Sequence, residues 1–210
     1  MRWLTPWGEG FPGWHLECSA IIHSLLGDPI DIHTGGVDHI GTHHPNEMAQ
    51  TQAAFGHGLA HIWAHNEFIL VDGQKMSKSK GNSYTLADVV KKGFSGMAYR
   101  LMVLQAHYRS ELNFSWDNLK AANSRLKSLQ NFADLKHQTE AKFKSLDGGY
   151  FDKLTKEITT ELADDLKTPA GLRIISQAID HIEKYSGGGI NPSNTSDFEA
   201  FLQFLDGAFG

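Results

Sequence analysis

The sequence contains a single cysteine, Cys18, which excludes an intrachain disulfide framework and fits a reducing compartment. It contains no uninterrupted apolar run near the roughly 20 residues that a membrane-spanning helix needs. Its first fifteen residues, Met1 to His15, include no apolar core of the kind secretory signals carry. The chain therefore reads as cytoplasmic. Positive charge is scarce: 19 basic side chains against 24 acidic ones give a net charge of −5. A nucleic-acid binder usually carries a basic patch, at least locally. One local excess exists, where Lys120, Arg125, Lys127, Lys136, Lys142 and Lys144 face only Asp134 and Glu140. A solvated helix face is the plain reading of that stretch. No internal repeat is evident.

What is present is the composition of a soluble globular protein, 40% hydrophobic and 20% charged over 210 residues. That length suits one domain, or a part-domain followed by a helical module. Histidine is distributed unevenly, with nine of the 12 before residue 66: His15, His23, His33, His39, His43, His44, His57, His61 and His65. Polar chemistry is therefore expected in the first third.

The pattern changes near residue 84. Before it, Ile30 to His33 runs into Thr34-Gly35-Gly36, and Glu67 to Val71 runs into Asp72-Gly73; both read as short strands ending in turns. Glu17 to Leu26 and Asn46 to Phe55 read as helices. Alternating strands and helices imply an α/β layer with a mostly parallel sheet. After residue 84 the reading is helical. Thr85 and Asp88 form a capping-box variant, and Leu119, Leu126, Leu129 and Phe132 share one stripe of a helix from Trp116 to Leu135. Thr168 and Pro169 offer an N-cap and first-turn proline to a helix carrying Leu172, Ile175, Ile179 and Ile182, ended by Gly187-Gly188-Gly189. Ser196 offers a cap to a last helix bearing Phe198, Phe201, Leu202 and Leu205. The expected domains are 1–84, an α/β part, and 85–210, a helical stem and bundle.

Three constellations carry chemistry. Lys75-Met76-Ser77-Lys78-Ser79 places two lysines three apart in a small hydroxyl-rich loop. Mobile ammonium groups can meet the charge that builds on pyrophosphate as it leaves ATP. Gly81 and Asn82 let the loop bend back. Gly35-Gly36-Val37-Asp38 follows a strand, where backbone can approach a nucleotide and a carboxylate can accept from ribose hydroxyls; taken alone, the segment reads better as a plain turn. Cys18, His43 and Glu47 offer a thiolate, an imidazole and a carboxylate, all zinc ligands. If Pro45 begins a helix, His43 and Glu47 meet on its first turn. Spacing does not choose between His43 and His44, and spacing alone favours a buried cysteine with satisfied histidines.

The pentapeptide resembles the second signature of class I aminoacyl-tRNA synthetases. The segments PWGEGFPGWHLECSA, DIHTGGVDHIGTHHPNEMAQ, KMSKSKGN and HYRSELNFSWDNL, in that order, resemble cysteinyl-tRNA synthetases over roughly residues 3–130. The likeness continues more loosely through Ala163-Asp164-Asp165-Leu166-Lys167-Thr168-Pro169. It implies a Rossmann-like catalytic fold, its C-terminal half, followed by an α-helical bundle. It further implies zinc held by Cys18, His43 and Glu47, and ATP with Mg2+ handled by catalytic Lys75 and Lys78. Gly35, Gly36, Asp38 and Ser77 would join these lysines in ATP binding, with cysteine bound by Trp14, His15 and His33. The implied reaction is activation of L-cysteine to cysteinyl-adenylate and transfer to tRNA(Cys). Zinc makes sense there, because it prefers a soft thiolate to a hydroxyl, whereas an apolar pocket separates such near-isosteres weakly.

The sequence departs from the family in places. The first signature, HIGH, belongs far upstream of Trp14, and His39-Ile40-Gly41-Thr42 only mimics it. The family's first zinc cysteine also belongs upstream. The expectation is thus an internal fragment, without the HIGH-containing part or the anticodon-reading part. Such a piece would be inactive alone, would hold zinc weakly, and would work with a separately supplied N-terminal half if the division is natural. Phe11 and Pro45 stand where the family often has Arg and a polar residue. Two alternatives remain: a cysteine:amino-sugar ligase of the mycothiol type, and a non-catalytic tRNA- or zinc-binding paralogue.

Overall fold

The computed structural model describes residues 2–11 and 13–210, and the side chain of Trp3 is likewise outside the description. Pro12, within the first of the motif segments, lies outside the described residues. The chain forms two compact units, residues 1–68 and 69–210. The packing division thus falls ahead of the change in sequence pattern near residue 84, and the lysine loop groups with the helices.

The first unit opens with an antiparallel hairpin, β1 (Trp3–Thr5) and β2 (Gly8–Gly10). Helix α1 (Trp14–Ile21) continues into a π-turn over Ile22–Leu26. Strand β3 (Ile30–Gly36), helix α2 (His43–Phe55) and strand β4 (Ala60–Asn66) then form a βαβ unit with β3 and β4 parallel. Parallel neighbours need such a crossover, because a tight turn can only join antiparallel strands. Gly56, at φ 80°, ends α2 in the left-handed conformation that glycine adopts without penalty. Strand β4 is absent from the sequence expectations.

Register decides what the sheet presents. Ile32 pairs with Ile62, His33 with Trp63 and Gly35 with His65. Because strand side chains alternate, His33, Gly35, Trp63 and His65 share one face, against which His44 of α2 packs. The other face bears Ile32 and Ile62, 58% and 57% exposed.

The second unit begins with β5 (Ile69–Val71), paired antiparallel with β6 (Gln74–Lys75) and parallel with β7 (Leu112–Phe114). The strand expected from Glu67 therefore starts at Ile69, and β7 interrupts the expected run of helices. Helices α3 (Leu86–Lys91), α4 (Gly96–Leu104) and α5 (Trp116–Asp134) pack on this small sheet around Val71, Val89, Ala98, Met102, Phe114 and Leu119. The capping box forms as its residues dictate: Thr85 Oγ1 accepts from the Asp88 amide at 3.3 Å, and Asp88 Oδ2 accepts from the Thr85 amide at 2.8 Å.

Helices α6 (Tyr150–Ala163), α7 (Thr168–Tyr185) and α8 (Thr195–Phe209) complete the bundle. Phe151, Ile158, Leu172, Ile182, Phe198 and Phe201 are fully buried in its core. Two expected caps are not made. Thr168 is the first helical residue of α7, and its hydroxyl donates to Leu104 O at 2.9 Å. Ser196 lies inside α8, behind Asn194, whose side chain is bound to the backbone of Leu146. In the first case a tertiary contact takes the hydroxyl that a local cap would have used; in the second the helix starts ahead of Ser196, and the side chain at the actual N-cap, Asn194, is held by a tertiary contact.

The two outlying motif segments meet in this unit. Asp165 accepts from Tyr108 Oη at 2.5 Å and from Arg109 Nε at 2.7 Å, and His107 Nε2 lies 2.9 Å from its carbonyl oxygen. Asp165 and Leu166 both have positive φ, 59° and 53°, a conformation costing about 1–2 kcal/mol per non-glycine residue. The ion pair from the α4–β7 segment holds that turn.

Candidate metal and nucleotide sites

In the first unit, α1 and α2 lie side by side, and their sequence offsets bring the donors together. Cys18 is one turn after Trp14 on α1, and His43 and Glu47 are one turn apart at the start of α2. Ligand atoms of Cys18, His43 and Glu47 all lie within 4.8 Å of one another. Glu47 is fully buried. Its Oε2 bonds to His33 Nε2 at 2.9 Å, while Oε1 is buried without a hydrogen-bond partner. His43 Nε2 sits 3.4 Å from that orphaned oxygen.

Electrostatics fit a cation at this point. Burial pushes the Cys18 thiol up from its ordinary value of 9.0, and the Glu47 and Glu17 carboxylates add to the effect. A half-buried thiolate beside a buried carboxylate is unfavourable until a divalent ion supplies the compensating charge. The residues present therefore fit zinc: one sulfur, one nitrogen and one oxygen donor within 4.8 Å of one another, with one Glu47 oxygen left without a hydrogen-bond partner.

His44, adjacent to His43, belongs to a second group with His33 and Glu47. Its Nδ1 is 2.7 Å from His65 Nε2, and its ring touches His33, His39 and Trp63. Burial, followed by the neighbouring imidazoles of His33 and His65, lowers its pKa to about 4, so it is neutral at physiological pH. His15 Nδ1 lies 2.8 Å from His43 Nδ1. Trp14 is exposed on the first turn of α1. Of the three expected cysteine-binding residues, His15 and His33 thus contact the donor set directly. His65 and Trp63 were missed because β4 was missed; the alternation of Ala60, Ile62 and Ala64 with His61, Trp63 and His65 is the signal that finds it.

Gly35 has a reason to be glycine that its motif did not suggest. A Cβ there would lie 2.6 Å from His39 Nδ1 and 2.7 Å from His44 Cε1. Gly36 is constrained too, since a side chain would run into the Asp38 carboxylate. Asp38 is itself exposed, at the start of the 3₁₀ turn Val37–Gly41 that contains the HIGH mimic His39-Ile40-Gly41.

In the second unit, the lysine loop leaves β6 at Lys75 and closes through a 3₁₀ turn, Lys78–Lys80, onto Gly81 at φ 67°. Asn82 staples it: Oδ1 accepts from the Ser77 amide at 2.8 Å, and Nδ2 donates to Lys75 O at 3.2 Å. Ser77 and Ser79 hydroxyls are 2.8 Å apart. Met76 lines a cavity of about 110 Å³ with Ile69, Tyr84, Leu86, Tyr99 and Phe114. The backbone is anchored while Lys78 and Lys80 stay exposed.

The basic stretch disperses. Arg125 turns inward and donates to Leu172 O and Ser176 Oγ, each at 2.8 Å. Lys142 pairs with Glu140, and Lys144 sits 3.8 Å over the Tyr185 ring.

The fold is that of class I aminoacyl-tRNA synthetases. It superposes, over the whole chain and 32% of the other, on the LeuRS of an Agrobacterium radiobacter ternary complex with tRNA and LeuAMS, with a TM-score of 0.71 and 16% identity. Residues 1–124 match the model of the tRNA synthetases class I (C) catalytic domain, and the chain belongs to that family. Similar proteins include the Cysteine--tRNA ligases of Novosphingobium aromaticivorans, 43% identical over 218 aligned positions, and of Leptospira interrogans, 40% identical over 209. These alignments cover 100% and 97% of this chain but 42% and 43% of the relatives. A Treponema denticola Cysteine--tRNA ligase is 50% identical over 129 residues, 61% of this chain and 26% of its own. The chain thus spans about two-fifths of the length of the first two. None of the described helices is long and apolar enough to cross a membrane.

Proposed function

We propose that this chain carries the amino-acid-recognition and pyrophosphate-handling parts of a cysteine–tRNA ligase, acting in the cytoplasm on L-cysteine, ATP with Mg2+ and tRNA(Cys). The observation that carries the reading is Glu47 Oε1, buried without a hydrogen-bond partner 3.4 Å from His43 Nε2, in a donor group with Cys18 whose atoms lie within 4.8 Å of one another. In this reading Cys18, His43 and Glu47 hold zinc, which when bound supplies a soft Lewis acid that favours a thiolate over a hydroxyl. Trp14, His15 and His33 border the substrate. Gly35 and Gly36 bring backbone close to the nucleotide, and Asp38 accepts from the ribose.

The chemical step needs the carboxylate of cysteine to attack the α-phosphorus of ATP while pyrophosphate departs. Lys75 and Lys78 meet the charge on the leaving oxygens, with Ser77 donating beside them. The Asn82 staple keeps the backbone fixed while the ammonium groups move, so little reorganisation is needed when the charge develops. Domain roles follow: 1–84 serves catalysis, and 85–210 forms the stem and bundle. The exposed Ile32–Ile62 pair is covered by a further part of the catalytic fold, from the same polypeptide or a separate N-terminal half, because parallel sheets are normally covered on both faces.

The names of the relatives favour tRNA over an amino sugar as acceptor. Calorimetry on the zinc-loaded chain tests the reading. Cysteine should bind and serine should not, and chelation should abolish binding. Equal binding of serine, or cysteine binding indifferent to zinc, overturns it.

A further inference from the structure

The two tandem histidines at the start of α2 are each paired off at one ring nitrogen by another histidine: His43 Nδ1 with His15 Nδ1 at 2.8 Å, and His44 Nδ1 with His65 Nε2 at 2.7 Å. Within the His15–His43 pair one nitrogen must carry a proton and the other a lone pair. His43 Nε2 lies 3.4 Å from Glu47 Oε1, yet that oxygen has no hydrogen-bond partner. A protonated Nε2 would be expected to turn towards so close an acceptor. The separation suits two acceptor atoms gathered with the Cys18 thiol, all three donors lying within 4.8 Å of one another. The other carboxylate oxygen is already engaged by His33.

We propose that His15 and His33 are positioning residues for the metal donors. His15 accepts from His43 Nδ1–H and so holds His43 in the tautomer whose Nε2 keeps its lone pair beside Glu47 and Cys18. His33 donates to Glu47 Oε2 and leaves Oε1 for the same donor group. This role is separate from, and compatible with, their place beside the substrate. It rests on the zinc reading for its consequence, but the tautomer is a property of the metal-free chain. Outer hydrogen bonds of this type fix ring orientation, and their loss typically weakens metal binding 10–100-fold.

The test is long-range 1H–15N correlation NMR of the imidazoles in the metal-free 210-residue chain, followed by zinc competition against a chromophoric chelator. Wild type should show His43 as the Nδ1–H tautomer. His15→Ala should shift His43 towards Nε2–H and raise the zinc Kd about 10–100-fold. His15→Asn, which restores an acceptor near the position of Nδ1, should recover most of both. A purely packing role for His15 would not move the tautomer, nor be rescued by Asn. An Nε2–H tautomer in wild type overturns the proposal outright, even if a variant proves too unstable to measure. An unchanged tautomer and Kd in a folded His15→Ala variant overturn it equally. Failure of wild type to bind zinc defeats the metal reading instead, and the tautomer still decides this one.

Discussion

Glu47→Gln separates a structural carboxylate from a metal-binding one by the sign of its effects. Glu47 is fully buried, with one oxygen bonded to His33 and the other unpartnered. An unsatisfied buried polar atom costs about 1–3 kcal/mol. In the isosteric amide the oxygen can keep the His33 bond, and the NH2 group can donate to His43 Nε2. The metal-free variant should therefore be as stable as wild type or up to about 3 kcal/mol more stable. Zinc affinity should move the other way. Structural zinc sites with four ligands bind with about 10–16 kcal/mol, or about 2.5–4 kcal/mol per ligand, so losing the carboxylate should weaken binding about 70- to 900-fold. Urea unfolding in the presence of a chelator and zinc competition titration measure the two effects. A variant that is destabilised without metal but keeps its zinc affinity would refute the assignment.

Other substitutions probe the surrounding argument. Gly35→Ala forces a methyl group against the His39 and His44 rings. Overpacking of this kind costs about 1–3 kcal/mol, and thermal unfolding followed by circular dichroism should fall by about 2–4 °C per kcal/mol; an unchanged Tm would mean that the rings yield freely. Lys78→Ala, placed in a full-length ligase carrying this sequence, should slow adenylate formation in single turnover by about 10²–10³-fold with little change in ATP affinity. An unchanged rate would remove the lysine from the chemistry. Asp165 is held below the usual carboxylate range by its hydrogen bond from Tyr108 and then by Arg109. A group with a lowered folded pKa stabilises the protein above its unfolded pKa and loses that contribution as pH falls through the folded value. Asp165→Asn should therefore be less stable at neutral pH and show a flatter decline in stability below about pH 4. Parallel pH profiles of the two proteins in urea would contradict the clamp.

Much of the architecture could be read from residues because local chemistry and tertiary packing agree. The Thr85–Asp88 box closes within four residues, and the stripes of α5 and α7 bury or half-bury the residues their spacing selects. The lysine loop was legible from composition, although its fastening was not: Asn82 reaches back to Lys75 and Ser77, contacts that no local rule fixes. Thr168 and Ser196 look like caps, yet Leu104 O takes the first hydroxyl and the helix starts ahead of the second. The convergence of Cys18, His43 and Glu47 followed from family likeness and not from spacing, because it depends on how α1 lies against α2. The histidine pairs were hidden for the same reason. His44 meets His65 only through the register of β4 on β3, and the histidines of β4 dilute its apolar alternation.

X-ray absorption at the zinc edge, on the loaded chain with and without cysteine, tests the central claim most directly. The account predicts one sulfur neighbour at about 2.3 Å from Cys18, a second when cysteine is added, and no change with serine. A zinc environment without sulfur, or a sulfur count indifferent to cysteine, would contradict it.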